Sequence, residues 1–198
     1  MLELLVGTGL AAAAGLNAWM PLFALGLADR FIAGVELPAG WAWLSSDIAL
    51  WITGILLLVE IIADKVPAVD SVNDIIQTAI RPAAGGIVFG AGSSAETVRV
   101  DDPSALFADN AWVPILIGVV IALIVHALKA AVRPVVNVAT AGLAAPLLST
   151  AEDVSSFALI AAAIFVPILA GIMLVALVVG AVLFLRRRRR RRAESRPA

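Results

Sequence analysis

The sequence predicts an all-α, polytopic membrane protein built as a helical bundle. Of its 198 residues, 62% are hydrophobic, and the mean hydropathy is +1.02. A soluble domain of this size needs far more polar surface. The apolar residues also form blocks, and about 20 residues are enough to cross a bilayer as a helix. We therefore expect one membrane domain at residues 1–185, with about four full helices and two shorter ones, followed by a basic tail at 186–198.

The first predicted helix spans residues 2–28 and is rich in small residues, which allow close helix packing in lipid. Pro21 lies inside it, and the proline ring clashes with the carbonyl of Asn17, four residues earlier. We expect a kink there, with the Asn17 amide satisfying backbone groups that the kink frees. No basic residue precedes the segment, which predicts a retained helix rather than a secretory signal peptide.

A second helix is predicted at residues 48–63, and it ends in a polar stretch. Glu60 and Asp64 are four residues apart, so they share one face of the helix, and Lys65 follows them. Acidic residues at the end of an apolar helix are either structural or part of a site.

A shorter helix is predicted at residues 71–80, with Asp70 as its N-cap or as a site residue. We expect this helix to stop at Arg81-Pro82. The Gly/Ala-rich stretch that follows, residues 83–95, is short for a full span. It is predicted to cross as a short helix or to re-enter as a broken one.

A fourth helix is predicted at residues 111–132, and it too is expected to stop at an Arg-Pro pair, Arg133-Pro134. The second short apolar stretch, residues 135–148, carries Asn137 and again either crosses or re-enters. These two short segments are where the predicted topology is open.

The last helix is predicted at residues 152–185, long enough to tilt or to kink at Pro167. The run from Ser149 to Glu152 fits a capping box, and Asp153 suits a helix N-terminus. Glu152 and Asp153 are therefore either capping residues or secondary members of a site.

Two segments of the chain resemble each other at an offset of 52 residues. Residues 74–82 and 126–134 share Ala, Arg and Pro at matching positions, and Gly90 falls on Gly142. Duplication and chance similarity between apolar segments both account for the match. A direct repeat predicts that the two copies point the same way across the membrane.

The distribution of Lys and Arg predicts the orientation. If both short stretches cross, the chain makes six passages, and all but two of its 14 Lys and Arg residues lie on one side. Because cytoplasmic loops carry the excess of Lys and Arg, both termini are expected in the cytoplasm of a bacterial inner membrane. Only Arg30 and Arg99 would lie outside.

Charged residues at hydrocarbon depth face a bundle interior or a wet cavity, because lipid does not solvate them. The acidic face of the second helix and the basic face of the fourth therefore predict a shared polar cavity in the cytoplasmic half. The alternative is snorkelling cations and structural ion pairs at helix ends. The expected site residues are Glu60, Asp64, Lys65, Asp70, Arg81, His126, Lys129, Arg133 and Asn137, with Asn17, Asp74, Glu152 and Asp153 as secondary members.

The composition restricts the chemistry. There are no cysteines and one histidine, His126, so no cofactor and no metal is expected, and a packed, hydrogen-bonded histidine is favoured over a ligand. No nucleophile-elbow motif accompanies Ser149 or Ser155, so an enzyme is not expected. The arginine run 186–192 predicts an anchor on anionic lipid rather than a nucleic-acid site.

Several motifs resemble a bacterial integral-membrane protein family of unknown function. The resemblance rests on Glu60-x3-Asp64-Lys65-x-Pro67-x2-Asp70 and on His126-x2-Lys129-x3-Arg133, and it covers most of residues 7 to 175. It implies a polytopic membrane fold and gives weight to the polar positions, but it implies no activity.

Three functions are compatible with this pattern. A small transporter or permease is favoured, because repeated broken helices and buried charges are features of transporters. In a lipid-handling protein, Arg81, Lys129 and Arg133 would hold a phosphate headgroup. A scaffold or assembly partner would use the small-residue face of the first helix. Membrane lipids are expected partners, and the chain's size is compatible with a homo-oligomer.

Overall fold

The computed structural model describes residues 2–94 and 112–194, and all regular structure in these ranges is helical. This confirms the predicted all-α bundle. The α-helices are α1 (Leu2–Leu16), α2 (Trp19–Phe31), α3 (Asp47–Ala63), α4 (Pro67–Ser94), α5 (Trp112–Thr140), α6 (Ala145–Phe165) and α7 (Pro167–Glu194), with a short 3-10 helix at Ala42–Ser45.

The first predicted helix is two helices that meet at a break. α1 has 15 residues and ends at Leu16, and α2 has 13 residues and begins at Trp19. At 1.5 Å per residue each is only about 20 Å long, too short to cross a hydrocarbon core of about 30 Å. The expected disruption near Pro21 is confirmed, but the chain breaks at Asn17-Ala18, which leaves Pro21 in the first turn of α2, where proline is tolerated.

α1 and α2 form a hairpin rather than one crossing. A Cβ on Gly92, near the end of α4, would lie 3.3 Å from Val6 of α1. A Cβ on Gly90 would lie 2.9 Å from Trp41, in the loop that follows α2. The start of α1 and the end of α2 therefore lie at the same end of the bundle, and the break points toward its middle.

The predicted helix ends at Arg-Pro are wrong. α4 continues through Pro82 to Ser94, and α5 continues through Pro134 to Thr140. A proline removes one hydrogen bond, but inside a membrane a helix that stopped would leave several backbone groups without water, so continuity costs less. The stretch 83–95 is thus part of a long helix as far as it is described, and 135–148 divides between α5, a turn and α6.

The direct repeat, one of the two explanations offered for the matching segments, is contradicted by the geometry of α4 and α5. Thr78 and Arg81 contact His126, whereas Gly86 packs on Ile115 further back in the chain. Residue numbers thus rise along α4 as they fall along α5, so the two helices are antiparallel neighbours. The shared Ala-Arg-Pro letters place an arginine on each of two facing helices that run in opposite directions.

The last predicted helix is also a hairpin. α6 begins at Ala145, and a break at Val166 separates it from α7. A Cβ on Gly9 would lie 2.9 Å from both Ala163 and Ala170, which flank the break. Because residues seven apart on one helix are about 10 Å apart, the chain must double back at Val166.

The two ends of the described chain lie at opposite ends of the bundle. Leu5 packs near Gly171, beside the α6–α7 turn, whereas α7 then runs 28 residues away from that turn to Glu194. The prediction that both termini share one side is therefore wrong, because the first segment turns back at its break instead of crossing.

Three described helices are long and apolar enough to span a membrane by length and composition: Trp112–Thr140, Ala145–Phe165 and Pro167–Arg187.

α3 matches its prediction closely, and the Ser46 hydroxyl caps it by accepting from the Ala49 N–H at 3.2 Å. The core around α1 is built from small residues, which bring α4, α5 and α6 close to it.

Candidate functional site

The break between α1 and α2 is held by an acidic side chain from α3. The Glu60 carboxylate accepts from the N–H of Ala18 at 3.0 Å and from that of Trp19 at 3.4 Å. The Asn17 side chain accepts from the Met20 N–H at 3.0 Å. These amides are the unpaired donors at the start of α2, where the helix dipole favours negative charge. Glu60 is only 2% exposed, so an anion lies at a helix N-terminus inside the bundle.

The other side of the same break carries the opposite charge. The Lys129 ammonium donates to the carbonyl of Leu16 at 3.0 Å, at the end of α1. It also contacts Asp64 at 2.9 Å and Glu152 at 3.2 Å. The three donors of the ammonium thus have three oxygen partners, one of which is at the negative end of a helix.

Arg81 of α4 lies at the centre of the cluster and is fully buried. Its guanidinium contacts Glu60 at 3.0 Å, and Asp64 and Asp74 at 3.5 Å each. The same group donates to Nδ1 of His126 at 2.9 Å. Arg81 therefore joins α3 to α5, through ion pairs with α3 and a hydrogen bond to His126, at a position buried from bulk solvent.

The hydrogen bonds of His126 assign its tautomer. A guanidinium only donates, so Nδ1 of His126 must accept from Arg81. Nε2 then carries the proton and donates to the Thr78 hydroxyl at 3.1 Å, which itself donates to the Asp74 carbonyl. His126 is thus a neutral, packed and hydrogen-bonded residue, as predicted.

Arg133 and Glu152 form the second strong pair of the cluster. The guanidinium donates from Nε to both carboxylate oxygens of Glu152, at 3.2 and 3.1 Å, and from Nη2 to Asp64 at 3.3 Å. Glu152 lies inside α6 rather than at its start, so the capping-box prediction for residues 149–152 is wrong. A sequence pattern that resembles a cap thus supplies a partly buried counter-charge to Arg133.

A smaller chain of contacts connects α6 to the break. Asp153 accepts from the Asn17 side chain at 3.2 Å and from Lys65 at 3.2 Å. Lys65 also donates to the carbonyl of Ile61. Asp153 therefore lies beside the α1–α2 break, instead of at a helix N-terminus as one alternative predicted.

Most predicted site residues converge. Among the described side chains, the charge network contains Glu60, Asp64, Lys65, Asp74, Arg81, Lys129, Arg133, Glu152 and Asp153, with Asn17 and His126 hydrogen-bonded to it. The side chain of Asp70 lies outside the described residues, and its backbone lies within α4, so the N-cap prediction is wrong. Asn137 shows no contact with the network: its Oδ1 is buried without a hydrogen-bond partner.

Sequence reasoning missed two side chains and two backbone groups that contact the network. Asn73 donates to Asp64 at 2.8 Å, and Thr78 orients His126. Asn73, Gln77 and Arg81 are spaced by four on α4, a periodicity that marks one polar helix face and was readable in the sequence. Leu16 and Ala18 take part through their backbone groups, so their residue types do not reveal the role.

The network is packed, where the sequence predicted a polar cavity. A cavity of about 190 Å³ borders Lys129 and Glu152, but most of its walls are apolar, including Leu128, Val132 and Leu177. Among the described residues, no group of three His, Cys, Asp or Glu side chains is placed to hold a metal ion. The arrangement can exchange ion-pair partners and compensate charge inside the bundle.

Removing the Asn17 side chain tests whether it stabilises the break between α1 and α2. We expect Asn17→Ala to lower the free energy of unfolding by about 1–2 kcal/mol, because the Met20 N–H loses its cap and Asp153 loses a donor. Asn17→Ser, which keeps a capping oxygen, should recover part of the loss. Denaturant unfolding of the detergent-solubilised protein measures both. Equal stability of wild type and Asn17→Ala would contradict the capping role.

Comparison with known proteins returns one family. A model described as a domain of unknown function, DUF4126, matches residues 4–187, nearly the whole chain. No curated protein and no solved structure matches.

Proposed function

The chain belongs to the DUF4126 family, described as a domain of unknown function, and we propose that it is a small membrane transporter whose substrate or coupling-ion site is the buried charge network. One observation carries the proposal. Both ends of a broken helix meet opposite charges inside the bundle, with Glu60 at the start of α2 and Lys129 at the end of α1. Discontinuous helices of this kind form the ion and substrate sites of many secondary transporters.

The charge balance of the network favours a cationic cargo or coupling ion. The described members comprise five carboxylates and four cationic side chains, with His126 neutral. One negative charge is thus in excess within a bundle that lipid surrounds. Because such a charge is costly at this depth, a proton or a small cation would offset it.

The lipid-handling alternative draws less support from the same contacts. Arg81, Lys129 and Arg133 would have to hold a phosphate headgroup, but each already contacts at least two carboxylates. A phosphate would leave those carboxylates unpaired at a cost of several kcal/mol. A scaffold role draws support from α7, whose apolar side chains are largely exposed, for example Ile172 and Val175.

Orientation belongs to the same proposal. The end of the bundle that carries the α5–α6 turn and Arg186 would face the cytoplasm, as the excess of Lys and Arg on one side predicts. Arg30 lies at the opposite end, where it pairs with Asp47. The Leu2 end of α1 would then lie on the outer side.

Ion flux into proteoliposomes tests the proposal. We expect wild-type vesicles to move protons or a monovalent cation down an imposed gradient, measured with a pH-sensitive dye and a panel of cations. Glu60→Gln and Arg133→Ala should reduce the flux at least about tenfold, because either change alters the network charge and its partners.

The matched control is Asp47→Asn, which removes a carboxylate of an exposed ion pair at the far end of α3. It should keep wild-type flux, since it leaves the network intact. If wild type, Glu60→Gln and Arg133→Ala gave equal rates across a broad panel of ions and small solutes, the transport proposal would be overturned.

A further inference from the structure

An apolar groove runs between α2 and α3, from the end of the bundle that carries Arg30 and Asp47 toward the level of the charge network. Its volume is about 500 Å³, the larger of the two cavities described here. Phe23, Leu27, Leu50, Ile55 and Leu58 line it, and Arg30 and Asp47 lie at one end. Ile55 and Leu58 are more than half exposed, so the groove opens to the outside of the bundle.

The length of the groove matches one leaflet of a bilayer. From Asp47 at the charged end, the wall formed by α3 extends over eleven residue steps to Leu58, which is roughly 16 Å at the helical rise. Half of a hydrocarbon core is about 15 Å thick. The groove therefore has the depth of a single acyl chain that starts at the headgroup level.

The charged end has the features of a headgroup site. Arg30 and Asp47 form an ion pair whose side chains are 42% and 75% exposed. Trp43 and Trp51 are also exposed nearby, and tryptophans concentrate at the headgroup level of a bilayer. A cation and an anion side by side complement a phosphate and an ammonium in one headgroup.

We propose that this groove binds a zwitterionic phospholipid that carries a primary amine, in the leaflet opposite the arginine tail. One acyl chain lies between α2 and α3, the phosphate contacts Arg30, and the ammonium contacts Asp47. This site is separate from the charge network and does not depend on the transport proposal. Gly54 keeps the groove open, because a Cβ there would already lie 3.2 Å from the ring of Phe23.

Native mass spectrometry of the full chain tests the proposal. The detergent-purified protein is mixed with equal amounts of phosphatidylethanolamine, phosphatidylcholine and phosphatidylglycerol. We expect phosphatidylethanolamine to be retained roughly fivefold more than either competitor, since only it offers both charges with a hydrogen-bonding amine. Gly54→Phe, which fills the groove, should abolish retention of all three.

Two further variants control the result. Gly180→Phe adds the same side chain to α7, where a Cβ meets nothing within 4 Å, and it should retain lipid like wild type. The double variant Arg30→Gln/Asp47→Asn keeps the groove but removes both charges, so the preference for phosphatidylethanolamine should disappear. Equal retention by wild type and Gly54→Phe would overturn the site. So would a dimer mass in wild type that Gly54→Phe converts to monomer, since a second copy would then occupy the groove.

Discussion

Replacing Arg81 by Met is expected to lower the free energy of unfolding by about 3–5 kcal/mol, the cost of breaking a buried ion pair from one side. The Met side chain keeps much of the volume but leaves Glu60 as an anion without its guanidinium partner at 3.0 Å. The same change removes the donor to Nδ1 of His126. Both losses occur at a position that is fully buried, so no water replaces the missing partner.

A double-mutant cycle separates the ion pair from the packing of Arg81. Glu60→Gln combined with Arg81→Met removes both charges, and the amide oxygen of Gln still accepts from the Ala18 N–H. We expect the double variant to recover at least half of the stability that Arg81→Met loses. SDS-induced unfolding, followed by loss of helical circular dichroism, measures all three variants.

The control for this cycle is Arg30→Met, which breaks the exposed pair with Asp47. Exposed pairs contribute about 0–1 kcal/mol, so the change should be small. An Arg81→Met variant as stable as Arg30→Met would show that the central guanidinium is not held by buried charges. A double variant less stable than either single variant would assign the effect to packing.

The spacing of the charged residues allowed much of the network to be predicted. Glu60 and Asp64 share a helix face because they are four apart, and His126, Lys129 and Arg133 share one on α5. Their convergence follows from a single physical rule, that lipid does not solvate charge. This rule predicts which charged residues lie close together, but it does not predict which cation pairs with which carboxylate.

The helix boundaries could not be predicted in the same way. In water a helix commonly ends before a proline, because the freed backbone groups bind solvent. In this bundle α4 continues through Pro82 and α5 through Pro134. Conversely, the chain breaks at Asn17-Ala18, within a run that its apolar residues predict as one helix. The break is stabilised by Glu60 and Lys129, which are distant in sequence, so no local pattern around it reveals the hairpin.

The role of Glu152 shows a further limit. Its spacing from Ser149 fits a capping box, a local motif, yet α6 begins at Ala145, before both residues. Glu152 instead forms ion pairs with Arg133 and Lys129, which lie on α5. Only the three-dimensional arrangement of α5 and α6 distinguishes a capping carboxylate from a counter-charge to another helix.

Replacing Gly118 by Val is expected to cost about 3 kcal/mol of stability, at the upper end of typical overpacking effects. A Cβ on Gly118 would lie 2.2 Å from the carbonyl oxygen of Gly85 and 2.5 Å from the Cβ of Phe89. Neither atom is the free end of a flexible side chain, so α4 and α5 must move apart. Even Gly118→Ala should destabilise, although alanine is favoured over glycine in a helix by about 1 kcal/mol.

Gly118→Val should also disturb the charge network, because the contact between α4 and α5 sets the distance from Arg81 to His126. Their hydrogen bond is 2.9 Å long, and a separation of about 1 Å between α4 and α5 would take it beyond the usual range. Gly118→Val should therefore reduce proteoliposome flux together with stability. Gly180→Val is the matched control, since a Cβ on Gly180 meets nothing within 4 Å. If Gly118→Val unfolded at the same SDS fraction as Gly180→Val, the close α4–α5 contact that aligns the buried charges would be refuted.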